Sequence, residues 1–320
     1  MSVSKVSWRS AEPAALLDLA AYQRLIGLDG FAPLPGVPDC ELCGAAEAVA
    51  VRDTVRVSKA VTARLATRCC RCCGLLFQSP RFEPAFYAAY YAQTYRHLVG
   101  WGAAPDPAYV ADQIARGAAL RRYLAPWLPR AGRLLDIGCG AGGMMVDFRD
   151  HGWAVRGIEP DRAAAAHAAT ALRLDVIACD AEVAELPPAA FDLIVIAGSL
   201  EHVAAPTPVL ARCHDATAPG GLLLLEAHGL GQAACLGAIG HNHRRLFTGT
   251  TFRLLMLRHG WDPLWVTDRP ICGPTRPGSV FALGRKAVAA APGVLDATIA
   301  RGLRDTLQET RARLDRLGIG

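Results

Sequence analysis

The sequence predicts an α/β protein: an open sheet of buried strands covered by helices, with a small metal-binding module ahead of it. Two stretches carry that expectation. The first is Arg133-Leu-Leu-Asp-Ile-Gly-Cys-Gly-Ala-Gly-Gly-Met144. Apolar Leu134, Leu135 and Ile137 read as a buried strand, the glycines as a tight turn, and the apolar-periodic residues beyond as a helix. Strand, glycine turn and helix is how an open α/β sheet makes a nucleotide site. Glycine lets the backbone approach a ligand, and the helix N-terminus offers unpaired N–H groups. The second is a pair of Cys-x-x-Cys-Gly knuckles, at Cys40 to Gly44 and Cys70 to Gly74.

Size and composition agree. At 320 residues, 52% hydrophobic and 20% charged, the chain can bury a full core, and one large domain with a small one is the natural division. A net charge of +5 is compatible with a phosphorylated or nucleic-acid partner but demands neither. The first residues, Met1 to Trp8, lack an apolar signal core, and no apolar run is long enough to span a bilayer. The expectation is a cytoplasmic protein with no membrane partner. The 11 cysteines are odd in number and six of them crowd between Cys40 and Cys73, which suggests metal and not a disulfide framework.

In chain order, Pro13 to Leu28 has apolar positions at helical spacing (Leu16, Leu17, Ala20, Leu25), and Phe31 to Pro38 is a Pro/Gly-rich linker. Strand-like alternation over Ala48 to Val57 separates the knuckles. Each knuckle turns tightly and presents two thiolates, and two complete a tetrahedron, the ligand arrangement of a zinc ribbon. Gly74 follows Cys73 as Gly44 follows Cys43, so the expected ligands are Cys40, Cys43, Cys70 and Cys73. Cys69 and Cys72 are then bystanders, though they could substitute. A closed four-thiolate site leaves no position for catalysis, so this zinc is expected to be structural. Phe86, Tyr87, Tyr90, Tyr91 and Tyr95 fall on an expected helix ending near Arg96, an aromatic stripe suited to packing two domains together. Asp106 is placed to cap a helix to Leu124, with Pro107 in its first turn.

The glycine stretch also satisfies Gly-x-Gly-x-x-Gly (Gly138, Gly140, Gly143), a dinucleotide pattern that alone is weak. Asp136 shifts the balance. A carboxylate at the strand's carboxyl end would repel a pyrophosphate but favours a cationic ligand, such as a sulfonium carrying an α-ammonium. Here the chain resembles the class I S-adenosylmethionine-dependent methyltransferases, whose first motif, hydrophobic-Asp-x-Gly-x-Gly-x-Gly, is filled by Asp136, Gly138, Gly140 and Gly142 around Cys139. The segment from Leu75 to Tyr95 resembles the zinc-binding region that precedes some bacterial members. There the tyrosines pack over the cofactor mouth, which singles out Tyr95 as a cofactor contact.

Strand Ala154 to Ile158 ends in Glu159-Pro160-Asp161. An acidic residue about 20 residues past the glycines is positioned to accept hydrogen bonds from ribose hydroxyls, a role that fits Glu159 for NAD and S-adenosylmethionine alike. Asp161 reads as the cap of the Ala-rich helix that follows. Asp175 to Asp180 reads as a third strand, and the resemblance implies that Asp180, with Ala181 alongside, meets the adenine amino group. Phe191 to Ile196 reads as a buried strand. After it, Leu200-Glu201-His202-Val203 is similar to the hydrophobic-Glu-His-hydrophobic motif of small-molecule methyltransferases. The resemblance implies that Ser199 and Leu200 line the methionine end of the cofactor and that His202 lies near the transferred methyl, where it could be a general base. Strand Leu222 to Leu225 leads to His228. His241 and His243 follow, also beyond strand ends, and these three are further base or substrate-binding candidates. Four histidines could bind a metal, but no ligand spacing supports that, and Arg244 and Arg245 argue against it. Thr250 to His259 reads as a helix, Trp261 to Thr267 and Ser279 to Leu283 as strands. From Pro292 a helix with one charged face would pack on the domain or on a partner subunit, which leaves a homodimer open.

The resemblance spans about residues 38 to 285 and implies a Rossmann-like, seven-stranded, mostly parallel sheet with helices on both faces. The expected division is an N-terminal helix and linker (1–37), a zinc-ribbon-like module (38–82), connecting helices (83–130), an S-adenosylmethionine-binding domain (131–286) and a C-terminal helix (287–320). The expected activity is methyl transfer to a small molecule, with O-methylation of a sugar, glycan or secondary metabolite foremost. One alternative is an RNA methyltransferase gripping phosphate with Arg52, Arg56, Lys59, Arg64, Arg68, Arg71 and Arg81 around the ribbon. The lack of an Asn/Asp-Pro-Pro-Tyr motif after the fourth strand weighs against methylation of base amino groups. An NAD-dependent oxidoreductase and a non-catalytic methyltransferase-like protein complete the alternatives.

Overall fold

The computed structural model describes residues 15–58, 61–95, 104–230, 240–287 and 294–318. The expectations placed on Met1 to Trp8, Pro13, Lys59, Arg96 and Pro292 lie outside the described residues. The central sheet has seven strands: β7 (Arg133–Ile137), β8 (Ala154–Ile158), β9 (Asp175–Ile177), β10 (Phe191–Ala197), β11 (Thr217–His228), β13 (Trp261–Thr267) and β14 (Ser279–Lys286). Their order is β13-β14-β11-β10-β7-β8-β9, and β14 alone runs opposite to the other six strands.

The strands read as continuous apolar runs because both faces are covered. Leu134, Leu193, Val195, Leu222 and Leu224 pack on one face against Leu120, Met145 and Phe148. These come from α3 (Pro107–Leu124) and α4 (Gly143–Asp150). Their strand neighbours Leu135, Ile194, Ile196, Leu223 and Leu225 pack on the other face with Leu210 and Leu255. Those belong to α6 (Pro206–Ala216) and α7 (Gly249–Arg258). Asp106 caps α3 through the Ala108 amide at 2.9 Å, as its position implied. Thr248 caps α7 in a reciprocal box, with the Thr251 hydroxyl 2.7 Å from the Thr248 amide. Thr248→Ala should cost about 1 kcal/mol of stability in chemical denaturation.

The N-terminal part differs from expectation in two respects. Within Pro13 to Leu28 the helix is short, α1 (Leu19–Leu25), and Ala15–Leu17 forms strand β1 instead. It pairs in parallel with β4 (Val61–Ala63), which continues antiparallel to β3 (Val55–Arg56). The ribbon is also not self-contained. Its strands β2 (Ala48–Arg52), β5 (Ala66–Cys70) and β6 (Leu76–Ser79) are completed by β12 (Arg245–Leu246), which pairs with β6. The tyrosine-rich segment starts as α2 (Pro84–Ala89) and continues as one π-helical turn, Tyr90–Thr94. The expected third strand stops at Ile177, three residues before Asp180. α5 (Arg162–Thr170) follows β8. The last helix, α8 (Val294–Arg316), packs on α7 and on the second knuckle, where the Thr310 hydroxyl donates to the Gly74 carbonyl at 2.8 Å. Among the described residues, no helix is long and apolar enough to cross a membrane.

Candidate active site

The carboxyl ends of β7, β8, β9 and β10 open into one cavity of about 480 Å³, within the size range of small-molecule sites. Its floor is the glycine turn, with Gly138 and Gly140 on the surface. Gly138 has φ +71°, and a Cβ there would stand 2.5 Å from the Ser199 Cβ, so only glycine fits. The Ser199 hydroxyl donates to the Ile137 carbonyl at 2.8 Å, tying the loop after β10 to the end of β7.

Glu159 is the pivot of the wall. Its Oε2 accepts from the Gly140 amide and its Oε1 from the Asp161 amide, both at 2.8 Å. Burial pushes its carboxyl up to about 7; the two amides work against this, and Asp161 and Asp180 add to it. Burial likewise pushes Asp136 up to about 7, with Glu159 adding and Arg116 opposing. Asp161 caps α5 through the Ala163 and Ala164 amides. Pro160, Asp180, Ala181 and Ser199 line the cavity, as does Tyr95, which joins Tyr87, Tyr91 and Tyr109 over it. Tyr109 is a lining residue that the sequence did not single out; its hydroxyl accepts from Gln113 at 2.8 Å.

Other predicted cofactor residues sit behind the wall. Asp136, Cys139 and Gly142 are not on the cavity surface: Asp136 and Cys139 are buried, and Gly142 packs toward Leu174 and Ala168. Leu200 is in the core and contributes its carbonyl to Arg245 instead of a side chain to the cavity.

The four histidines separate. Only His202 lines the cavity. Its Nδ1 donates to the Asn242 carbonyl at 2.8 Å, which leaves Nε2 as the acceptor of the neutral ring. Burial holds its pKa below the ordinary histidine value, although Glu201 opposes this. His241 lies between the Tyr22 and Tyr90 hydroxyls, at 3.1 and 3.4 Å, away from the cavity, and burial lowers its pKa to about 4. It is a neutral packing residue. His228 and His243 stack on each other beside Glu201 and do not reach the cavity surface. Burial alone would raise the Glu201 carboxyl, but the hydrogen bond from His228 and the nearby His202, His228 and His243 hold it well below the carboxylate range.

Cys40, Cys43, Cys70 and Cys73 come together, their Sγ atoms all within 4.8 Å of one another. The pairs Cys40–Cys73 and Cys43–Cys70 are 3.5 Å apart, far too long for disulfides. Tetrahedral zinc with bonds of about 2.3 Å places sulfurs about 3.8 Å apart, so the donor set fits that ion. Cys69 is buried in a separate apolar cluster and Cys72 is exposed. Between the first two thiols, Glu41 is paired with Arg245 through Nε and, at 3.1 Å, through Nη2. The same guanidinium donates to the Leu200 and Val203 carbonyls at 2.7 and 2.9 Å. One buried arginine thus joins the knuckle to the loop that carries His202.

Comparison with known proteins agrees with this geometry. Residues 109–265 match the family model described as a methyltransferase domain. The fold resembles that of 1,6-didemethyltoxoflavin-N1-methyltransferase from Burkholderia thailandensis, with a TM-score of 0.52 and 19% identity over 74% of this chain and 100% of that one. The chain is 35% identical over 97 residues to the ubiquinone biosynthesis O-methyltransferase of Rhodopseudomonas palustris (strain BisB18), 29% of this chain and 38% of that protein. It is 32% identical over 113 residues to the protein of the same name from Pseudomonas aeruginosa (strain LESB58), 33% of this chain and 49% of that protein. The matches therefore span less than half the length of these two relatives. Over residues 109–265 the chain is thus similar to methyltransferase domains.

Proposed function

We propose that this chain is an S-adenosylmethionine-dependent methyltransferase acting on a small-molecule oxygen acceptor, with structural zinc in the four-thiolate site. The observation that carries the reading is Glu159. Its carboxylate is pinned between the Gly140 and Asp161 amides at the wall of a cavity that His202 also lines. The two relatives named as O-methyltransferases support an oxygen acceptor; a sugar, glycan or secondary metabolite is the finer form of the same proposal. S-adenosylmethionine supplies an electrophilic methyl on a cationic sulfur, so no general acid is needed. Glu159 would hold the ribose hydroxyls, and Asp180 with Ala181 the adenine edge. Tyr87, Tyr91 and Tyr95 would exclude water, and His202 Nε2 would take the acceptor's proton.

The test is transfer of labelled methyl from S-adenosylmethionine into a fractionated lysate, with and without RNase. Label in RNase-resistant small molecules supports the proposal and hands over the acceptor. Label lost to RNase overturns it in favour of RNA methylation. With an acceptor in hand, His202→Gln should lower kcat by about 10²–10⁴-fold while leaving S-adenosylhomocysteine affinity within a few-fold.

A further inference from the structure

Three side chains from three separate elements converge behind His202. Glu201 comes from the loop after β10, His228 from the end of β11, and His243 from the segment before β12. One ligand atom of each lies within 4.8 Å of the others. Glu201 is 0% exposed. Its Oε1 accepts from the His228 amide and from His228 Nδ1, at 3.0 and 2.9 Å. Its Oε2 is buried with no hydrogen-bond partner. A buried carboxylate oxygen left bare is costly, and it points to a group that completes it. The His243 ring lies on that of His228, with centroids 4.5 Å apart and planes 25° from parallel. Both are partly exposed, so an ion can reach them.

The neighbouring arginines do not supply the missing charge. Arg245 is taken up by Glu41 and the loop carbonyls, and the Arg244 guanidinium lies 3.0 Å over the Tyr87 ring centroid. Two imidazoles and a carboxylate are a donor set for a divalent first-row metal. No ligand spacing along the chain announces it, because the ligands lie on three elements.

We propose that Glu201, His228 and His243 form a binding site for a divalent cation. The cation would give Glu201 Oε2 its partner and balance its buried charge. His202 adjoins the site: its ring centroid is 5.1 Å from that of His243, and its Nε2 is 4.0 Å from Glu201 Oε1. On the methyltransferase reading, on which this role alone rests, the cation would sit behind His202, and its positive charge would keep that ring neutral and able to take the acceptor's proton.

The test titrates Mn²⁺ into the full-length protein carrying one zinc per chain and follows free Mn²⁺ by electron paramagnetic resonance. Mn²⁺ is a hard cation and leaves the thiolates to zinc. The expected result is one Mn²⁺ per chain with micromolar affinity, weakened about tenfold or more in Glu201→Gln and in His243→Ala. The partly exposed His243 position keeps the test valid if the Glu201 variant fails to fold. Asp215→Asn, a surface change, should bind as the unchanged protein does. Absence of saturable binding, or binding that both site variants retain in full, would overturn the proposal. Mn²⁺ binding that persists in a protein showing no methyl transfer overturns only the role through His202.

Discussion

Glu159→Ala is expected to weaken S-adenosylhomocysteine binding by about 100-fold or more in calorimetry, with the protein still folded. Two ribose hydroxyls donating to one carboxylate are worth about 1.5–3 kcal/mol each. The Gly140 and Asp161 amides lose their acceptor in the same change, so the cavity wall loosens as well. Global stability should suffer little. Burial raises the Glu159 carboxyl to about 7, which means the fold disfavours its charge, and removing that charge relieves part of the cost. An unaltered affinity would remove Glu159 from the site. A large fall in melting temperature would instead make it a structural residue.

The second large effect is expected at Arg245. Arg245→Ala leaves Glu41 with only Arg81, at 3.5 Å, and strips the Leu200 and Val203 carbonyls of their donor. Breaking a buried pair from one side costs up to about 3–5 kcal/mol, and Arg81 offsets part of that. The melting temperature should fall by several degrees, and methyl transfer should fall further than the folded fraction, because the loop carrying His202 is no longer held. Arg245→Lys should recover little, since a lysine cannot fork across a carboxylate and two carbonyls. Stripping metal from the thiolates should reproduce the phenotype in part, because Glu41 sits between Cys40 and Cys43. Full activity in Arg245→Ala would show that the ribbon and the site are independent.

The strand, glycine turn and helix at Leu134 to Met145 were legible because each signal there is local: apolar run, tight turn, apolar period. The knuckles were legible for the same reason, as were the helix caps Asp106 and Asp161. What failed depended on partners far along the chain. Ala15–Leu17 has helical apolar spacing but finds Val61–Ala63 as a strand partner. His241 and His243 are two residues apart, yet one turns to Tyr22 and Tyr90 and the other to His228. Ser199 and Leu200 are adjacent, and the chain's turn sends one to the cavity and the other to the core. Asp136 and Cys139 follow the motif but stand behind the turn they belong to. Glu201 was visible as part of a Glu-His pair; its meeting with His228 and His243 was not, because it joins three separate elements.

The central claim is that the cavity is built for a cationic sulfonium nucleoside, and calorimetry of S-adenosylmethionine and NAD at pH 6 and pH 8 tests it most directly. Burial pushes Asp136 and Glu159 up to about 7, so near pH 6 both are largely protonated. A ligand that donates hydroxyls to Glu159 and brings positive charge favours the ionised forms. Binding should therefore release protons, and S-adenosylmethionine affinity should rise from pH 6 to pH 8, by at most about tenfold per pH unit for each proton released. NAD should bind far more weakly at both. Preferential NAD binding, or S-adenosylmethionine affinity that falls as the pH rises, would contradict the account.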